Sequence, residues 1–165
     1  MLDLTHILID GSILSVLLGA LIIGSLVYNP RLWLQDFPEA IRQRIPPQTP
    51  AEKRMQRLMM IPFLLLIVGV PYLSTISLKA GSAGSLPFVA AYLNTFLVLN
   101  LFNLFDAVVI DLLVMRLLYP RYLAFPGTEG LEYLLFDGAM HLRNYLKGIV
   151  FCAVFGLIIT LVALL

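Results

Sequence analysis

Cysteine is almost missing from this 165-residue chain: Cys152 stands alone, which excludes an intrachain disulfide and any paired-cysteine metal pattern. Charge is scarce too. Asp, Glu, Lys and Arg make up 13% of the residues, against about a quarter in a typical soluble domain. A net charge of +1 offers no basic excess to a phosphate backbone, so no nucleic-acid partner is expected. There are two histidines but no HExxH, and no phosphate loop, serine elbow or dinucleotide fingerprint, which removes the common signatures of hydrolases and nucleotide enzymes. No Lys or Arg occurs in the first eleven residues, so the positive leader region of a cleaved signal peptide is absent. The run that follows reads as a retained helix. Period-two alternation is also lacking, which disfavours a β-barrel.

Apolar residues fill the space left by these absences, at 60% of the chain, with a mean hydropathy of +0.93. They form four runs: Ile7–Tyr28, Leu58–Leu78, Leu86–Leu118 and Tyr145–Leu165. A hydrocarbon core of ~30 Å is crossed by about 20 helical residues. The expected fold is therefore an all-α integral membrane protein, an up-down four-helix transmembrane bundle with short interfacial helices, as one domain over residues 1–165. Of the 11 Lys and Arg residues, all but Lys79 flank the two longer connections. The positive-inside rule then places residues 29–57 and 119–142 in the cytoplasm and both termini outside. A multi-pass protein of a prokaryotic plasma membrane is the default setting.

The connections carry local signals. Thr49-Pro50-Ala51-Glu52 has a capping-box pattern, so the second helix should start near residue 50, well before the hydrocarbon. Pro62 and Pro71 fall inside it and should kink it. Trp33, Leu34, Phe37, Ile41 and Ile45 alternate with charges, as in a segment anchored at a membrane surface. Ala80–Ser85 should be a turn that makes its flanking helices antiparallel. A short helix is expected over Glu129–His141. Gly11, Ser15 and Gly19 recur every four residues, as do Gly148, Cys152 and Gly156, and these stripes are expected to pair the first helix with the fourth.

Polar residues inside the third run give the strongest functional signal. At about 100° per residue, Asn103 lies roughly 60° from Asn100 and Asp111 about 20° from it, on one face. Asp106 lies roughly 60° beyond Asn103, and Asn94 points elsewhere. Asp137 and His141, four apart, should be helix neighbours on the same side, with Glu129 and Glu132 before them; the set could exchange a proton or ligate a divalent cation. His6, Asp10 and Asp3 form another set at the opposite end. The candidate polar site is thus Asn100, Asn103, Asp106, Asp111, Asp137 and His141.

Three functions fit. Short connections and abundant apolar surface favour an accessory or scaffold protein, in contact with membrane lipids and acting as a homo-oligomer or within a larger membrane complex. The alternatives are a proton, ion or small-solute transporter using the polar face of the third run, and an enzyme acting on a lipid-like substrate near Asp106, Asp137 and His141. No cofactor is implied.

Overall fold

A computed structural model describes residues 3–82 and 85–165, and no strand occurs among them. The elements are α1 (Leu4–Tyr28), a 3-10 segment (Pro30–Asp36), α2 (Glu39–Arg42), α3 (Pro50–Gly81), α4 (Phe88–Phe105), π-helical turns (Asp106–Val114), α5 (Met115–Leu118), a second 3-10 segment (Glu132–Phe136) and α6 (Gly138–Leu164). The stretch Phe88–Leu118 is one continuous rod. It joins α1, α3 and α6 as the four helices long and apolar enough to cross a membrane, at 31, 25, 32 and 27 residues. Side chains such as Val16, Leu65, Leu73 and Val150 project outward from them. That is the build of a multi-pass membrane protein.

Local chemistry sets the helix ends. Asp3 Oδ1 accepts from the His6 amide at 3.0 Å and starts α1. Thr49 Oγ1 accepts from the Glu52 amide at 3.2 Å while Glu52 Oε2 accepts from the Thr49 amide at 2.7 Å, completing the expected capping box. Arg31 locks this start in place, with its Nε 2.6 Å from Glu52 Oε1 and its Nη2 donating to the Pro46 and Pro47 carbonyls at 3.0 Å. α3 continues unbroken through Pro62 and Pro71. Part of the expected Ala80–Ser85 turn, at residues 83 and 84, lies outside the described residues.

The Phe88–Leu118 rod is the centre of the packing, with α6, α1 and α3 all against α4. This corrects the expected pairing of the two small-residue stripes, which face α4 rather than each other. A side chain at Gly11 would meet Leu101, one at Gly19 would meet Phe105, and one at Gly148 would overlap the Asn103 amide. Gly156 sits against the Phe96 backbone. The reason is in the partners: α4 presents bulky groups that need a glycine opposite them, and two small stripes facing each other would have left α4 unpartnered.

The two longer connections lie together at one end, the loop end; Arg44 Nη1 reaches the Gly127 carbonyl at 3.4 Å. The other end, the turn end, brings Lys79 Nζ to the last carbonyls of α6, at 3.4 Å from Ala163 O and 3.3 Å from Leu164 O. Leu34, Phe37, Ile41 and Ile45 are buried in the protein core instead of anchoring at a surface. Phe37 packs edge-on to Phe125 at 5.4 Å between centroids. Apolar side chains of the second connection, Leu123 and Leu135, supply partners that a sequence-only view could not place. The helix expected over Glu129–His141 is divided as well: a 3-10 turn ends at Phe136, and Gly138 onward belongs to α6.

Candidate functional site

Polar side chains gather at two levels. Towards the turn end, Asn94 Nδ2 donates to Ser74 Oγ at 3.0 Å and to Thr75 Oγ1 at 3.3 Å. Thr75 Oγ1 lies 2.8 Å from Thr95 Oγ1, which is 3.0 Å from Thr160 Oγ1. Asn94, Thr75, Thr95 and Thr160 are completely buried, each at 0% exposure. Together they tie α3, α4 and α6. The His6 imidazole joins α1 to the same level, its Nε2 3.0 Å from the Ser74 carbonyl and 3.1 Å from Asp10 Oδ2. Apart from Asn94 Oδ1, which is buried without a partner among the described residues, these groups answer one another and tie the helices together. A shallow recess beyond it borders Asp3, His6 and Ser77, but its carboxylate already caps α1 and its imidazole is already paired.

At the loop end the helices diverge around a cavity of about 530 Å³. Its wall combines apolar side chains, among them Ile22, Leu26, Phe102 and Ile110, with Asn103, Asp106, Asp111 and His141. Gln35, Asp36, Asn144 and Lys147 line it too, and their exposure marks the mouth. α3 contributes Phe63 alone to the wall. The π-helical stretch explains how both aspartates of the rod reach one space. In an α-helix they would lie about 140° apart. Bonding from i to i+5 puts more residues in each turn, which rotates positions five apart towards a common face.

His141 is buried and its two ring nitrogens have different tasks. Nε2 lies 2.9 Å from the Leu135 carbonyl, which can only accept, so Nε2 carries a hydrogen. Nδ1 lies 3.0 Å from Asp111 Oδ2. One further proton serves that contact, as a neutral acid–imidazole pair or as a carboxylate–imidazolium pair, and the sum of charge is zero in both. Asp106 has no hydrogen bond or salt bridge among the described residues. At the mouth, Asp36 is open to solvent yet hemmed in by protein. That crowding raises its carboxyl above the ordinary carboxylate range; the Gln35 hydrogen bond at 2.9 Å works in the opposite direction, and Asp111 adds to the rise.

Of the residues singled out in the sequence, Asn103, Asp106, Asp111 and His141 line one cavity. Asn100 stands behind them; its Oδ1 accepts from Asn103 Nδ2 at 3.3 Å, and the same amide group bonds the Tyr145 carbonyl at 3.2 Å, seated over Gly148. Asp137 is not in the cavity. Its Oδ1 accepts from the Ala139 amide at 2.9 Å as the cap of α6, and the expected pairing with His141 is replaced by Asp111. A carboxylate at the first position of a helix is drawn to free amides, and that claim outweighs the i, i+4 neighbour. Arg116 lies over the Phe136 ring at 5.5 Å and compensates neither aspartate. Among the described residues no three His, Cys, Asp or Glu side chains converge to hold a metal ion.

Sequence reasoning missed Asp36, Trp33 and Phe63 in the wall, because their approach depends on how the first connection folds back. It also missed the threonine layer, whose signal was present: Ser74-Thr75, Asn94-Thr95 and Thr160 each interrupt an apolar run. The chain matches no protein-family model, no curated protein sequence and no solved structure.

Proposed function

We propose that the chain crosses a plasma membrane as an up-down four-helix bundle, loop end in the cytoplasm, and acts as a carrier of protons or a small solute through the loop-end cavity. The convergence of Asn103, Asp106, Asp111 and His141 on that cavity carries the reading. A carboxylate at membrane depth costs at least ~2.5 kcal/mol on insertion scales, a cost that pure packing does not require. The threonine layer fits the same role as a seal on the far side. The Asp111–His141 pair supports a proton site: Asp111 Oδ2 and His141 Nδ1 share one proton, and its uptake or release changes the charge of the pair by one. An accessory role, favoured by composition, makes no use of the cavity. For an enzyme with a hydroxyl or thiol nucleophile, the described wall supplies no Ser, Thr or Cys.

The test is flux in reconstituted vesicles carrying a pH gradient and an internal pH dye. Wild-type protein should dissipate the gradient faster than empty vesicles, and Asp111→Asn should slow it tenfold or more, about 1.4 kcal/mol in the barrier. Flux equal to that of empty vesicles, or unchanged in both Asp111→Asn and Asp106→Asn, would refute the carrier.

A further inference from the structure

Resting on the carrier reading, we infer that the solute is an organic cation, an ammonium head on an apolar body. The cavity's size is the first argument. About 530 Å³ falls within the ~300–1,000 Å³ of small-molecule sites and far exceeds a bare ion. The charge balance is the second. Asp111 and His141 cancel each other across their 3.0 Å contact. Lys147 and Asp36 both stand at the mouth, where their signs oppose. What remains inside is Asp106, half-buried and unpartnered among the described residues. In its ionised form this single inward carboxylate is balanced by one positive charge.

The wall is the third argument. Trp33, Phe63, Phe102 and Phe151 line the cavity. Trp33 is held in place, with its indole N–H donating to Ser25 Oγ at 2.8 Å and its ring edge-on to Phe63 at 6.3 Å. With its polar atom satisfied, it offers the cavity π surface. Aromatic rings and a carboxylate lining one cavity are the chemistry that recognises ammonium groups, while Ile22, Leu26 and Ile110 in the same wall suit an alkyl body.

Trp33 is the chain's one tryptophan, so its fluorescence reports on this cavity. Full-length protein in nanodiscs of zwitterionic lipid would be titrated with decyltrimethylammonium, decyl sulfate and decyl maltoside, each below its micelle concentration. A saturable change with the ammonium probe, about tenfold tighter than with the other two, is expected. Asp106→Asn should cut that preference to about threefold or less, and Asp106→Glu should keep it. Sulfate or maltoside saturating as tightly as ammonium would overturn the cation assignment and leave the carrier standing. No saturable change with any probe would also overturn the cation assignment, and the flux assay in vesicles decides the carrier separately. The three-probe comparison on unmodified protein decides the matter even if the variants misfold.

Discussion

The turn-end layer and the loop-end cavity are built from similar polar residues on the same helices, yet they differ in what those residues face. Thr75, Asn94, Thr95 and Thr160 face one another at 0% exposure. Asp106, Asp111 and His141 face a space of about 530 Å³. The first arrangement converts polar groups into ties between helices. The second holds one pair in balance and leaves a third group, Asp106, without a partner among the described residues. Burial alone therefore does not separate structural from functional polar residues. What separates the two levels is that one joins three helices side chain to side chain while the other lines an open space.

That contrast can be broken, and the largest effect should come from the α4–α6 contact in the cavity wall. Gly148→Leu would drive a side chain into the Asn103 amide and force α6 off α4. Equilibrium unfolding in mixed micelles should show a loss of about 3 kcal/mol, the upper end for overpacking. Retained stability would mean that Asn103 is free to move and that the close approach is not needed.

Next in size is His141→Leu. It orphans the Leu135 carbonyl and leaves Asp111 without its partner, for a loss of about 2 kcal/mol in the same assay. Part of this should return when Asp111→Asn is added, since the stranded charge is then gone. Strict additivity of the two changes would mean that the pair is not coupled.

Sharper still is a difference in sign. Thr95→Val keeps the volume and removes the contacts to Thr75 and Thr160, which should cost about 1 kcal/mol, in the range of interhelical hydrogen bonds in membranes. Asp106→Asn removes an unanswered carboxylate and should raise the melting temperature while impairing function. If both variants shift stability the same way, the two levels are not the different structures proposed.

The smallest effect belongs to Asp36. Its carboxyl is raised in the folded protein, so the native state favours the protonated form. Stability from that preference is present at low pH and fades as pH rises through the folded value. Asp36→Asn should therefore be slightly more stable than wild type at pH ~7, and the gap should close below pH ~4, the unperturbed carboxylate value. A thermal melt series across that range measures it.

How far all this could be read from the sequence depends on the range of each interaction. Helix count and the start of α3 were legible, because hydropathy runs and caps are local; the Thr49–Glu52 box starts α3 at Pro50 as its spacing requires, while α6 begins at Gly138, before its apolar run. Asp106 and Asp111 were legible because polar groups in an apolar run stand out, and His141 was found through its spacing from Asp137, a partner the structure replaces with Asp111. Their pairing was not legible. A helical wheel assumes one pitch, and Asp106–Val114 departs from it. It also weighs Asp137 and His141 as neighbours while missing that the helix begins between them, which turns Asp137 into a cap. The glycine stripes were visible, but what fills them, Leu101, Phe105 and Asn103, is decided by tertiary contact.

The same wide winding has a consequence for length. Drawn out as ordinary helix, the 31 residues of Phe88–Leu118 would measure about 46 Å, well past a ~30 Å apolar slab. Nine of those residues advance more slowly along the axis, so the rod is foreshortened where its neighbours α1 and α6 have only 25 and 27 residues to offer. Restoring regular pitch there would lengthen the central rod against α1 and α6 and bring it level with α3, which has 32 residues.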